Sequence, residues 1–162
     1  MRPSRIILGI DPGLGRTGWG VIKAKGIDLM ALGFGCISTP ANTAVGPRLV
    51  ELENDLKTLI DKYHPDVLAI EQLLFTNNIT TGIAVGAARG VVLLVAERSS
   101  IPVVEFTPTQ VKLGVTGYGQ ADKAQVNGMV CRILKLEKPP TPDDAADALA
   151  IAICGSGARI EE

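Results

Sequence analysis

The sequence predicts an α/β domain in which helices flank a five-stranded mixed sheet. The first forty residues contain short apolar runs, and two of these are joined only by Lys25-Gly26, which is typical of an antiparallel meander. From residue 47 onward, apolar positions recur at three- and four-residue spacing, which indicates a helix, and strands and helices then alternate. Because crossover helices join parallel strands, the later strands are expected to run parallel to the first.

Five short apolar runs bounded by turn residues are predicted to be strands. They cover residues 5–10, 17–25, 27–38, 67–70 and 103–106. The first strand leads into Asp11-Pro12-Gly13, a favourable turn sequence, and the fourth runs into Glu71.

Four helices are predicted from apolar periodicity and from residues that favour helix ends. They cover residues 47–63, 80–98, 120–136 and 143–153. Thr107-Pro108 marks a further helix start, residues 114–119 read as a glycine-punctuated loop, and Thr141 is expected to cap the last helix. The order β-β-β-α-β-α-β-α-α is that of the RNase H-like fold, although many other α/β folds share a similar order. One domain is predicted over residues 1–154, with a flexible tail over 155–162.

The composition limits the classes of protein that the chain can belong to. The net charge is −1, whereas nucleic-acid-binding proteins are usually basic, so DNA binding would require Lys and Arg to cluster on one face. The three cysteines are odd in number and widely spaced, which argues against a disulfide framework or a zinc site. No signal peptide and no run of about 20 uncharged apolar residues is found, so a cytoplasmic protein that does not span a membrane is expected.

Three carboxylates lie in apolar surroundings. Asp11 ends the run IILGI, Glu71 ends VLAI, and Asp147 interrupts AADALAIAI. Asp144 precedes Asp147 by three residues and therefore shares a helical face with it. A buried unpaired carboxylate costs on the order of 2–5 kcal/mol or more. If the strands that end at Asp11 and Glu71 are neighbours, these ends lie roughly 5 Å apart, and the last helix can bring the other acids over the same edge.

Each acid also has an ordinary structural explanation. Asp11 fits the first position of a turn, and Glu71 can lie on an exposed strand end. Asp143 and Asp144 fit the first turn of a helix, where acids interact favourably with the helix dipole. Asp147 is explained least well in this way, because it lies among Ala, Leu and Ile. The occurrence of acids at two strand ends and on one helix favours a shared role.

Clustered carboxylates predict a metal site. Four acids in one place repel each other unless cations bind, and all-oxygen ligands select Mg²⁺ or Mn²⁺. Two such ions about 4 Å apart stabilise both the attacking and the leaving oxygen in phosphodiester hydrolysis. The only histidine is His64, which precedes a proline, so no Ser-His-Asp arrangement competes with this interpretation.

Five ordered motifs resemble the RuvC family of Holliday-junction endonucleases. They are GIDPGLGRTGWGVI, AIEQLLFTNN, ARGVVLLVA, TPTQVKLGVTGYGQADKAQV and PDDAADALAIAI, and the similarity runs from residue 5 to about residue 154. The resemblance implies an RNase H-like fold and a homodimer that contacts its partner through the small-residue helix over 80–98. It also implies symmetric paired nicks in four-way junction DNA during recombination and repair, and a branch-migration complex of RuvA and RuvB as partner.

The resemblance assigns roles to individual residues. It implies that the catalytic, metal-binding acids are Asp11, Glu71, Asp144 and Asp147, with two Mg²⁺ ions per site and Mn²⁺ as a substitute. It implies DNA-facing roles for Lys112, Lys123, Leu74, Phe75, Gly117 and Gly119. Many family members have an aromatic wedge three positions after the acid that matches Glu71. Leu74 occupies that position here and Phe75 follows, so either side chain can act as the wedge, or both can cover a core or dimer face.

Three alternatives remain open from the sequence alone. An ATP-binding module of the actin, Hsp70 and sugar-kinase class begins with a similar acid-glycine hairpin, but it normally needs a second lobe. A noncatalytic DNA-binding relative is disfavoured because all four acids are present. A different RNase H-like nuclease that acts on RNA–DNA hybrids is a more distant alternative, which a panel of substrates would separate from a junction endonuclease.

Overall fold

The computed structural model describes residues 3–72 and 78–160, in which five strands form one mixed sheet. The sheet order is β3-β2-β1-β4-β5, with β1 Arg5–Asp11, β2 Arg16–Lys25, β3 Asp28–Ser38, β4 Val67–Glu71 and β5 Val103–Phe106. The first three strands pair antiparallel, and β4 pairs parallel with both β1 and β5. The predicted meander followed by parallel strands is confirmed.

Within the described ranges, five helices cover the two faces of this sheet. They are α1 Val45–Tyr63, α2 Ile79–Arg98, α3 Pro108–Thr116, α4 Lys123–Leu134 and α5 Asp143–Ser156. Residues 114–116 belong to α3, so the prediction of a loop over 114–119 is wrong for its first half. Gly114 lies within the helix and against Cys154 of α5, where a Cβ would collide with the sulfur, and Gly117 ends the helix with a φ of 76°.

The ends of the last two helices also differ from the sequence prediction. α4 begins at Lys123 rather than at residue 120, because Asp122 and Gln125 form a capping box there. Pro142 is the N-cap residue of α5 and no side chain caps this helix, so the expected cap at Thr141 is wrong. α5 continues to Ser156, past the predicted domain boundary at 154, and an Arg5 guanidinium nitrogen donates to the Ala158 carbonyl oxygen at 3.1 Å. The flexibility of the tail stays a prediction.

Alternation along the strands divides the core into two layers. Ile7, Val67 and Ala69 pack on one face of the sheet with apolar residues of α3, α4 and α5. Leu8 and Ile70 pack on the other face with apolar residues of α1 and α2. Since successive strand residues point to opposite faces, these layers determine where the residues at the strand ends point.

α5 lies unusually close to the sheet because glycines face it. A Cβ on Gly9 would collide with the backbone of Ala148, and a Cβ on Gly18 would collide with the backbone carbonyl of Asp144. α5 is therefore buried along most of its length, and its first turn is held directly against β2.

α2 packs on α1 and on the sheet through one face only. Ala88, Val92, Val95 and Ala96 are buried, whereas Ile83 is 68% exposed. By length and composition alone, α2 is apolar enough to cross a membrane, a test that helices of soluble proteins also pass. The other face of α2 remains apolar and uncovered within the described chain.

Candidate active site

Strand alternation directs the two strand-end acids toward α5. Asp11 is two residues beyond Gly9, and Glu71 is two residues beyond Ala69, so both acids share the face that α5 covers. β1 and β4 are parallel neighbours, and their last paired residues are Ile10 and Ile70. The two acids therefore follow equivalent positions at the same edge of the sheet, as the sequence predicted.

The first two turns of α5 bring the remaining acids to this edge. Asp144 lies over Gly18, which is the β2 partner of Asp11, because its backbone carbonyl occupies the space of the missing Cβ. Asp147 is one helical turn further along and lines a cavity together with Glu71. The close contact at Gly18 thus fixes the start of α5 beside the end of β1.

The cavity between β4, α3, α4 and α5 has a volume of about 320 Å³ and contains both charge types. Glu71 and Asp147 provide its carboxylates, and Lys112 and Lys123 provide its cations. Two cavities of about 410 and 550 Å³ lie elsewhere, but no carboxylate lines either of them. Chemical character rather than size therefore identifies the candidate site.

Basic side chains form ion pairs with the acids of α5. Lys123 Nζ lies 3.3 Å from an oxygen of Asp147 and 3.6 Å from an oxygen of Asp143. Arg16 Nε lies 3.1 Å from Oδ2 of Asp144. The two catalytic candidates on α5 are thus each paired with a cation.

Burial and mutual repulsion raise the pKa values of the carboxyl groups at this edge of the sheet. Burial, followed by repulsion from Asp147, Glu71 and Asp144, raises the pKa of Asp11 to about 7. Burial and the charge of Asp147 also raise the pKa of Glu71. Burial raises the pKa of Asp147 despite the opposing attraction of Lys123. Such shifts are typical of functional sites, where like charges are held together.

This set of acids suits a hard divalent cation in its donor chemistry. All four candidates offer only carboxylate oxygens, and the repulsion that raises the pKa of Asp11 is what a bound cation would relieve. Within residues 3–72 and 78–160, however, no three Asp, Glu, His or Cys side chains are close enough to hold a metal ion. In this arrangement Asp144 and Asp147 are each engaged with a different cation, Arg16 and Lys123 respectively.

Of the residues expected to face DNA, only some line the cavity with the acids. Lys112 and Lys123 line the cavity, whereas Gly117 ends α3 and Gly119 follows it, near Thr109. Leu74 and Phe75 lie outside the described residues. Sequence reasoning missed Arg16, because an Arg at the start of a strand resembles any exposed cation until the position of α5 is known.

Comparisons with known proteins agree on one family. The family profile described as "Crossover junction endodeoxyribonuclease RuvC" matches residues 7–155. A protein of that description from Thermomicrobium roseum is 52% identical over 148 residues, covering 91% of this chain and 90% of the relative.

Solved structures extend this agreement to the fold. The structure of T. thermophilus RuvC in complex with a Holliday junction substrate has a TM-score of 0.89 and 32% identity, covering 93% of this chain and 92% of the other. The yeast mitochondrial Holliday junction resolvase Ydc2 has a TM-score of 0.67 at 14% identity, covering 93% of this chain and 78% of the other, and it shares the fold alone.

Proposed function

The chain belongs to the RuvC family of crossover junction endodeoxyribonucleases, and we propose that Asp11, Glu71, Asp144 and Asp147 are the residues with which it cuts four-way DNA junctions. The reaction is the hydrolysis of a phosphodiester in each of two strands, which resolves the junction during recombination and repair. The observation that carries the residue assignment is the direction of Asp11 and Glu71 from neighbouring parallel strands toward the acids of α5.

We propose that the acids bind Mg²⁺, which Mn²⁺ can replace, with two ions in each active site. Enzymes of this family depend on divalent metals. When bound, such ions stabilise charge on the attacking and leaving oxygens of the phosphodiester. On binding a cation, Asp144 and Asp147 would exchange their present contacts with Arg16 and Lys123 for the metal.

The cations of the cavity are suited to hold the DNA strand. Lys112 and Lys123 surround Glu71 and Asp147, so they can neutralise phosphate charge that the acids would otherwise repel. The overall charge of −1 does not prevent this role, because Lys112 and Lys123 bring two positive charges to the cavity itself. Gly117 and Gly119 allow the backbone after α3 to approach a phosphate.

We propose a homodimer that forms through α2. Ile79 and Ile83 are 76% and 68% exposed, and a Cβ on Gly82 or Gly90 would meet no atom within 4 Å. These glycines are therefore not required for packing inside the described chain, and they leave room for a close helix on another subunit. A two-fold dimer presents two active sites to the two strands that must be cut.

The cellular context follows from the same resemblance. A nuclease that resolves recombination junctions acts where the chromosome is, so we place the protein in the bacterial cytoplasm. A RuvA and RuvB branch-migration complex is the proposed partner, since it would deliver the junction to the nuclease. Co-purification of the chain with such a complex on junction DNA is the corresponding test.

A panel of substrates tests the proposed function. Purified protein would be incubated with a synthetic four-way junction, a linear duplex of the same sequence and an RNA–DNA hybrid, each with Mg²⁺ and with EDTA. We expect paired nicks in the junction only, and only with Mg²⁺. Preferential cutting of the hybrid would instead favour a related nuclease with another substrate.

A further inference from the structure

We propose that Arg16 binds a DNA phosphate on the side of the active site opposite Lys112 and Lys123. This inference rests on the proposed function, because it requires a DNA strand to cross the acids. It adds to the active site a cation that comes from the β1–β2 hairpin, whereas the two lysines belong to α3 and α4.

Arg16 points toward the acids because of its place in β2. It is the first residue of that strand, and Gly18, two positions later, pairs with Asp11 and faces α5. Since side chains two residues apart share a face, Arg16 faces the same side. Its Nε atom lies 3.1 Å from Oδ2 of Asp144, and its side chain is 56% exposed. The guanidinium is thus both beside the site and accessible to a ligand.

The acids lie between Arg16 and the two lysines. β2 adjoins β1 on one side, whereas β4 adjoins it on the other. Arg16 belongs to the β2 side, and Lys112 and Lys123 line the cavity with Glu71 on the β4 side. A DNA strand whose scissile phosphate reaches the acids also places neighbouring phosphates to either side. Cations on only one side would leave the other phosphates facing uncompensated carboxylates.

Arg16 can exchange Asp144 for a phosphate at little cost. Solvent reaches both side chains of this ion pair, so the pair contributes little to stability. A guanidinium binds phosphate oxygens through two parallel hydrogen bonds. If Asp144 turns toward a divalent cation, Arg16 loses its present partner and becomes available for DNA. Binding of the metal and contact with DNA would then favour each other.

A second cation lies beside the hairpin that carries Arg16. Arg48 Nε donates to Thr39 Oγ1 at 3.0 Å, and the Thr39 backbone N–H donates to the Gly15 carbonyl oxygen at 3.0 Å. Arg48 is therefore held beside the hairpin that carries Arg16. The hairpin therefore has two arginines on or beside it, of which Arg16 is the one in contact with an active-site acid.

Equilibrium binding of a four-way junction tests this inference. The measurement would use fluorescence anisotropy in Ca²⁺ over a series of salt concentrations. For Arg16→Ala we expect binding several-fold weaker than wild type, and a slope of log K against log salt smaller by about 0.9, since one phosphate contact is lost. Arg16→Lys should recover part of the affinity and part of the salt slope, because lysine keeps the positive charge but cannot donate two parallel hydrogen bonds to phosphate.

Arg98→Ala is a matched control. Arg98 pairs with Glu53 at 3.1 Å and is 60% exposed, so its ion pair resembles that of Arg16. Arg98 ends α2 just before β5 begins, so it lies near the starts of the parallel strands. Asp11 and Glu71 lie at the other ends of these strands. Arg98→Ala should bind the junction like wild type, with the same salt slope.

Binding of Mn²⁺ without DNA separates a phosphate contact from a merely structural role. We expect Arg16→Ala to bind Mn²⁺ at least as tightly as wild type, because Asp144 is released. Weaker Mn²⁺ binding would mean that Arg16 only positions Asp144, and it would overturn the inference. Unchanged junction affinity and salt slope would also overturn it. A wild-type protein that neither binds nor cuts the junction would refute the proposed function itself, so the two failures are distinguishable.

Discussion

Lys123 Nζ lies 3.3 Å from Oδ2 of Asp147, which joins the first residue of α4 to the acid in the second turn of α5. Both residues line the cavity that Glu71 also lines. Because the same ammonium group lies 3.6 Å from Asp143, it neutralises part of an otherwise acidic helix start. A residue in this position can pass from carboxylate to phosphate when DNA binds.

Substitution of Lys123 by Ala should weaken junction binding and reduce its dependence on salt. Each phosphate contact contributes about 0.9 to the slope of log K against log salt, so the slope should fall by about that amount. The control is Lys57→Ala, which removes a comparably exposed lysine from its pair with Glu53 on α1. A slope equal to that of wild type would remove Lys123 from the DNA-binding surface.

The Asp11 carboxyl should make the metal-free protein less stable as the pH rises. Burial and nearby acids raise its pKa from 3.8 to about 7, so the folded state holds a proton that the unfolded chain releases near pH 4. The free energy of unfolding should therefore fall between about pH 4 and about pH 7, by on the order of 1–3 kcal/mol. Denaturant unfolding in EDTA at several pH values measures this decline.

Two variants show whether Asp11 causes the decline. Asp11→Asn should flatten the pH dependence of the free energy of unfolding. It should also stabilise the metal-free protein above about pH 7, since an amide carries no charge to bury. Asp61→Asn changes an exposed acid of α1 and should preserve the wild-type decline. An equally steep decline in Asp11→Asn would refute the electrostatic description of the site.

Calcium should support junction binding but not cleavage. Ca²⁺ relieves repulsion between the carboxylates, so DNA can bind. It accepts more ligands and a looser geometry than Mg²⁺, whereas hydrolysis requires tightly ordered ligands. Binding and nicking would be measured on the same labelled junction with each ion. Rapid nicking in Ca²⁺ would contradict the proposed dependence on tightly ordered ligands.

Introducing a charge on the exposed face of α2 should prevent dimerisation. Ile83→Glu would bury an unpaired carboxylate at the proposed interface, so the dissociation constant of the dimer should rise at least about ten-fold. Val50→Glu is the control, because Val50 is a 55% exposed apolar residue on α1. Sedimentation equilibrium should detect monomers for Ile83→Glu only. Equal assembly of both variants would place the interface elsewhere.

The sheet was largely predictable because its signals are local. β5 has the predicted bounds, and β4 ends at Glu71 as expected, since each is a short β-branched or apolar run between turn residues. The end of α3 was not predictable from local preference. Gly114 reads locally as a loop residue, but it lies within the helix at a point where α5 leaves no room for a side chain, and its contact with Cys154 joins residues forty positions apart.

The site was predictable only as far as strand direction allowed. Parallel pairing of β1 and β4 was enough to predict that Asp11 and Glu71 meet at one edge. The contribution of Arg16 depends on how deeply α5 settles onto β2, and that depth is set by the missing side chain at Gly18. The glycine is visible in the sequence, but the tertiary contact that places α5 over it cannot be predicted from local pattern.

The most direct test of a shared metal site is Mn²⁺ binding by wild type, Asp11→Asn and Asp147→Asn, measured together with junction binding and cleavage. If the acids share ions, both variants should bind Mn²⁺ more weakly and cut at least about 10³-fold more slowly, since bound metal supplies several kcal/mol of transition-state stabilisation. Their affinity for the junction in EDTA should equal or exceed that of wild type, because one negative charge is gone. Wild-type Mn²⁺ affinity in both variants, or parallel loss of junction binding and cleavage, would contradict a common metal site.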